Sequence, residues 1–315
     1  MTTLKIDEIL ANYGLDFTIY KNALVGLNEN GEQYPTPYYG LFNSKTGECL
    51  NTVKENYTIS QNKDIVRVAL AGMEKFGDAI AVQKAGSLNG GRKVYIQLRI
   101  EGDGKVGDDT VERFVTLIDS NDGSTGLSVG IGDLTMSCMN QFFKFYKAGE
   151  AKFRHTATIE QKIETMPELI STALGQSLKQ IELYQEFEGT SISQHLAHKL
   201  VKELLGYDRV ITSPKDYAEL PTKSIAHMDN LYAHIEKETN SKGMNLWGLH
   251  SGVTSWTSHP AERSAKAKPK RENWSEENLI VGKGYAHNLN SLEFAINAYG
   301  ELTKKTSHKK ELVYA

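Results

Sequence analysis

The residues best suited to chemistry are cationic and aromatic. Between positions 256 and 274, Arg263, Lys266, Lys268, Lys270 and Arg271 place five positive charges within nine residues, and Trp256 and Trp274 flank the run. Cations gain affinity for phosphates by releasing counterions, and indoles stack on unpaired bases, so the pattern points to a single-stranded nucleic acid. Glu262, Glu272, Glu276 and Glu277 lie just outside and dilute the field, and a solvated linker has the same composition. A second candidate is Arg92, Lys93, Tyr95 and Arg99. In an alternating strand Tyr95, Gln97 and Arg99 share the face opposite Val94, Ile96 and Leu98. A ring beside a guanidinium on such a face can stack a base and follow a phosphate backbone. An ordinary wet sheet face reads the same way.

Carboxylates and histidines offer a rival chemistry. Asp119, Asn121, Asp122 and Ser124 cluster after a strand. Asp119 and Asp122 are weak candidates for a divalent cation, and with Ser124 and His155 they would suit a metal-dependent phosphoester enzyme. Asn-Asp-Gly-Ser is equally what a tight turn requires. His195 and His198 stand at i, i+3 but lie off the apolar stripe Ile192, Leu196, Leu200, Leu204, which favours solvated side chains over a metal site. The run Gly102-Asp103-Gly104-Lys105-Val106-Gly107 fits G-x-G-x-x-G in letters only, because it joins two predicted antiparallel strands and no helix follows. Ser124 lacks a nucleophile elbow. No catalytic residue and no cofactor is assigned.

The elements that must position these residues divide at about residue 150. Residues 17–27, 34–39 and 48–60 read as extended, and 62–76 as a helix stopped by Gly77. Residues 79–85, 94–100, 112–119 and 127–131 form four strands joined by short turns, with Asn89-Gly90 marking a hairpin. From 136 onward apolar spacing is helical: Met136, Met139, Phe142, Phe143 and Tyr146, then 157–187 with Pro167 as a kink or restart, 191–205, 223–239, 244–258 and 285–300. The expected fold is α+β, an antiparallel β-meander of about four to six strands packed by helices, with a mainly helical C-terminal half. Its organisation is a β-rich core over 1–150 with one or two helices, a helical region over 151–260, a mobile basic loop over 261–278, and a C-terminal helix with a basic tail over 279–315.

Composition bounds the answer. The chain has 315 residues, is 39% hydrophobic and 24% charged, and carries a net charge of −3, which excludes a uniformly basic DNA binder and wholesale disorder. Cys49 and Cys138 form no C-x-x-C pair, so a disulfide scaffold is not expected. The N-terminus shows no apolar h-region and no run is long and apolar enough to span a membrane, so the sequence predicts a cytoplasmic protein without membrane partners.

Five stretches in order carry a resemblance. They are Tyr57-Thr58-Ile59-Ser60-Gln61-Asn62, Ser120-Asn121-Asp122-Gly123-Ser124, Ser137-Cys138-Met139-Asn140, Phe153-Arg154-His155-Thr156, and Trp247 through His259. Together they resemble the phage- and plasmid-like proteins grouped as domain of unknown function 932. Asn121 stands where that family often has His, and Leu134-Thr135-Met136 replaces its Arg-Val before the cysteine. The resemblance implies a setting in mobile-element DNA metabolism, in a host cell's cytoplasm. The predicted order of elements is also similar to that of phage single-strand annealing proteins. The expectation is therefore a non-enzymatic protein that binds single-stranded DNA and, as a homo-oligomer, anneals strands in recombination. A phosphoester enzyme and a host-directed inhibitor acting by protein contact are the alternatives.

Overall fold

The computed structural model describes residues 3–145, 159–211, 213–259 and 274–313. The N-terminal part holds α1 (Thr3–Asn12), β1 (Ile19–Leu27), β2 (Gln33–Asn43), β3 (Cys49–Lys54), α2 (Asn62–Phe76), β4 (Ile80–Leu88), β5 (Lys93–Val106), β6 (Asp109–Ser120), β7 (Ser128–Thr135) and β8 (Asn140–Phe145). The C-terminal part is helical: α3 (Ile159–Glu188), α4 (Gln194–Leu205), α5 (Pro214–Ala218), α6 (Thr222–Lys242), α7 (Leu246–Ser258), α8 (Trp274–Ile280) and α9 (Lys283–Val313). The class is α+β, with two antiparallel sheets ordered β1-β2-β3 and β4-β5-β6-β7-β8. The second is the expected meander, one strand longer. Asn89, Gly90 and Gly91 all take positive φ and turn β4 into β5.

One face of the meander packs on α2 and α3. Val94, Ile96, Leu98, Val115, Leu117, Val129 and Ile131 meet Ile65, Val66, Ala69, Leu70, Met166 and Ile170 in the main core. The helix over 62–76 is found, with Gln61 as its N-cap and Asp64 completing the capping box. The buried amide of Asn62, the first residue of α2, donates to the Leu15 and Phe17 carbonyls at 3.0 Å each. Pro167 does not break α3, which runs continuously over 30 residues.

Three local expectations are corrected. The apolar stripe from Met136 to Phe143 is not helical. Residues 136–139 turn, and 140–145 pair with β7 in the register Gly132↔Phe143 and Gly130↔Phe145. A Cβ on Gly132 would lie 2.8 Å from the Phe143 ring, so glycines in β7 make room for the rings beside them. A short apolar run satisfies both periods, and the partner strand decides. Helix α4 starts at Gln194 after Ser193, because Ser191 is drawn into a bridge with Asn245. The expected loop over 261–278 gives way at Trp274, where α8 begins, and residues 260–273 lie outside the described part.

Helices α6 and α7 cross closely. Gly248 and Gly252 share one face of α7, and a Cβ on Gly252 would lie 2.5 Å from the Ile235 backbone. The absent side chains set this distance, and with it the separation of the functional groups the two helices carry. Among the described residues no helix is long and apolar enough to cross a membrane.

Candidate nucleic-acid interface

The strand face expected to stack bases is closed. Tyr95 is 1% exposed and packs with Leu88, Ile118 and Phe143 beneath Leu279 and Ile280 of α8. Burial, then the charge of Glu276, pushes its phenol well above the ordinary value. Gln97 is buried as well. The helix that covers this face is about 180 residues away in sequence, beyond the reach of strand alternation. The two arginines are already engaged. Arg92 donates to the carbonyls of Leu50 and Cys49 and pairs with Glu48 at 3.1 Å. Arg99 pairs with Asp103 at 2.6 Å and Glu112 at 3.2 Å. Lys93 is half-buried at the start of β5. No continuous track runs through Arg92, Lys93, Tyr95 and Arg99.

Asp119 and Asp122 are held as turn and joint residues. Asp119 accepts from Ser60 Oγ at 2.8 Å and faces Lys162 Nζ at 3.9 Å, and both members of that pair are buried. Asp122 accepts from the Ser124 amide at 2.9 Å. Asn121 donates to Asn62 Oδ1 at 3.0 Å and to the Gly91 carbonyl at 2.9 Å. Tyr57 lies over Gly123, and burial, then Asp119 and Asp122, pushes its phenol up to about 12. Among the described residues no three His, Cys, Asp or Glu side chains converge as metal ligands. His155 lies outside the described residues, as do Arg263, Lys266, Lys268, Lys270 and Arg271; of Trp274 only the backbone is described.

What the structure does assemble is a cleft of about 730 Å³ walled by α4, α6, α7, α8, α9 and the loop after α4. That is within the ~300–1,000 Å³ typical of small-ligand sites. Lys223 and His227 reach it from α6, Lys283 and His287 from α9, and Trp256 from α7. Asn230, Asn278, Ser224 and Thr257 supply neutral polar groups, and Leu204, Leu205 and Tyr207 an apolar wall. Among the described residues lining it there is no carboxylate, although the whole chain is net acidic.

The sequence carries a signal for this cleft that composition obscures. Lys223 and His227, and again Lys283 and His287, are Lys-x-x-x-His pairs. Spacing i, i+4 puts each pair on one helix face, and the fold turns the two faces toward one cleft. Trp256 lies between the two histidines, with ring centroids 5.0 Å from each. At 8% exposure the indole is a floor, and no open face is left for a base to stack on, which corrects its expected role. Asn278 ties the walls together, donating to the Thr257 carbonyl at 3.2 Å and accepting from the Gly284 amide at 3.0 Å. Burial, then the positive charges of His227 and Lys283, holds the His287 imidazole below its ordinary value. Two lysines and two histidines thus face one cleft with no carboxylate among its described lining residues, and an anion placed there would relieve the repulsion among those that are charged.

Four of the five stretches that carried the resemblance meet in two joints, and the fifth, 153–156, lies outside the described residues. Residues 57–62 meet 119–124 through the Ser60–Asp119 and Asn62–Asn121 bonds. Residues 137–140 meet 247–259 where Asn140 donates to the Ser251 carbonyl at 3.3 Å and His259 Nε2 bonds the Cys138 carbonyl at 2.9 Å. His250 is wholly buried, and burial pushes its imidazole down to about 3, so it serves the core as a neutral ring. No curated protein and no solved structure matches the chain. The model of the family described as "Domain of unknown function (DUF932)" matches residues 49–278, spanning both joints and every lining residue of the cleft except those of α9. By that match over most of its length, the chain belongs to the domain of unknown function 932 family.

Proposed function

We propose that this protein binds single-stranded DNA, with the cleft between α6, α7 and α9 as the seat for a phosphate and its nucleoside. The observation that carries this reading is the pairing of Lys223 and His227 with Lys283 and His287 around Trp256, free of carboxylates among the described lining residues. Two lysines supply phosphate affinity by counterion release. The amide of Asn230 presents a donor and an acceptor to a base edge, and Leu204, Leu205 and Tyr207 offer it an apolar wall. Residues 260–273 join α7 to α8 in sequence and carry five cations. The activity we attach to this binding is strand annealing by a homo-oligomer in mobile-element DNA metabolism, in the cytoplasm of a host cell. No observation in the described residues favours the metal-dependent enzyme. The test is fluorescence anisotropy with labelled oligo-dT and with a blunt duplex across a salt series. Tight binding to oligo-dT with a steep salt slope supports the proposal, and no anisotropy change at ~50 mM salt ends it.

A further inference from the structure

The sheet β1-β2-β3 has a buried face and an open one. Ile19 and Leu41 point into the core at 3% and 0% exposure. The residues between them alternate to the other side. Pairing sets that open face: Tyr20 stands opposite Phe42, Asn22 opposite Gly40, and on the far strand Cys49, Thr52 and Lys54 stand opposite Phe42, Gly40 and Tyr38. Tyr20 and Phe42 stack with centroids 5.5 Å apart and planes inclined by 20°. Tyr20 is 40% exposed and Tyr38 48%. Rings on a wet face contradict the alternation expected of a half-buried sheet, in which the outer positions are polar.

Two rings have a packing role. Tyr34 lies on Gly26, where a Cβ would fall 2.2 Å from it, and it covers backbone. Phe42 leans over Gly40 in the same way. The outer surfaces of Tyr20 and Tyr38 are left without such a task. Tyr38 and Phe42 are four residues apart on one strand, about 14 Å at ~3.4 Å per residue. Gly40 between them is buried beneath Phe42 and Leu24, so what this face offers a ligand is the outer sides of Tyr20 and Tyr38. Lys54 stands beside Tyr38, and the paired positions on this face include no carboxylate.

We infer that this face is a stacking platform for unpaired bases, a second contact surface for the single strand that the cleft holds by its phosphate. The inference rests on the single-strand reading above for its ligand and stands on a different sheet for its evidence. Charge decides the occupant. A surface with exposed rings, one lysine and no paired carboxylate fits a strand that is apolar on its bases and anionic along its backbone. The rings give affinity without sequence preference, because every base has a π-face.

The experiment measures oligo-dT affinity by anisotropy for the wild type, for Tyr20→Ala with Tyr38→Ala, and for Lys223→Glu with Lys283→Glu. Tyr20→Leu with Tyr38→Leu keeps apolar bulk on the sheet and covers the case in which the alanine pair folds poorly. The platform predicts binding at least tenfold weaker for both tyrosine pairs, with an unchanged salt slope and unchanged affinity for an abasic oligonucleotide. Wild-type affinity in a tyrosine pair with the wild-type melting temperature overturns the platform and leaves the cleft standing. Loss in the tyrosine pairs alone supports the platform and removes the cleft. No binding by the wild type removes both. A change of oligomeric state on light scattering, with oligo-dT affinity kept, assigns the face to contact between copies of this chain and overturns the inference.

Discussion

Asp133 gives the sharpest test of how this core is held. It sits on β7 in the row of Val129 and Ile131, and its carboxylate is fully buried against α3. The Tyr184 hydroxyl donates to its Oδ2 at 3.0 Å. Burial raises its pKa from 3.8 to about 7, and the Tyr184 bond offsets only part of that shift. A carboxyl with a raised folded-state value contributes stability that is fully present below its unfolded pKa and is lost as pH rises through the folded one. The window therefore runs from about pH 4 to pH 7. About three units of separation at ~1.4 kcal/mol each make the loss on the order of 4 kcal/mol above that window. Asp133→Asn keeps an acceptor for Tyr184 and cannot ionise. Urea unfolding of both proteins at pH 4.5 and pH 8 separates this effect from every other titration, because the others cancel in the difference. The variant should gain on the wild type by several kcal/mol between the two pH values. An equal difference in stability at both would refute the reasoning.

Two further outcomes follow from the geometry. Lys242 is 6% exposed by its side chain, bonds Asp109 Oδ2 at 2.9 Å and Glu238 Oε2 at 3.2 Å, and so neutralises two buried carboxylates, one of which also accepts from Trp247 Nε1; Lys242→Met should cost about 3–5 kcal/mol in urea unfolding at pH 7, and a loss below 1 kcal/mol would contradict that role. His287 is held below its ordinary value by burial, His227 and Lys283, so it is neutral at pH 7 and charges as pH falls; oligo-dT binding should tighten between pH 7 and pH 5 with proton uptake in calorimetry, and His287→Gln should weaken that trend.

The fold was largely legible in the sequence where two local signals agreed. Asn89-Gly90 with alternation on both sides marks the hairpin, and Gln61, Asp64 and Gly77 bracket α2 around an apolar stripe. It was not legible where one segment satisfies both periods, as at Phe142 and Phe143, because strand β7 with its glycines decides the outcome. The site was hidden for a related reason. Tyr95 and Gln97 look solvated from their alternation, yet both are buried, Tyr95 beneath the distant α8. The cleft draws Lys223, His227, Trp256, Lys283 and His287 from three helices, so linear clustering of charge points elsewhere. Its trace in the sequence is the repeated Lys-x-x-x-His spacing, which becomes informative once both helices are known to face each other.

The central claim is that carboxylate-free cations around Trp256 seat the phosphate of an unpaired strand. Its most direct measurement is the salt dependence of oligo-dT affinity for the wild type and for Lys223→Glu with Lys283→Glu, with both lysines exposed and the fold checked by melting. The expected slope of log affinity against log salt is shallower by about 0.7 for each lysine lost, together with much weaker binding at low salt. A double variant that binds oligo-dT with the wild-type affinity and slope would contradict it.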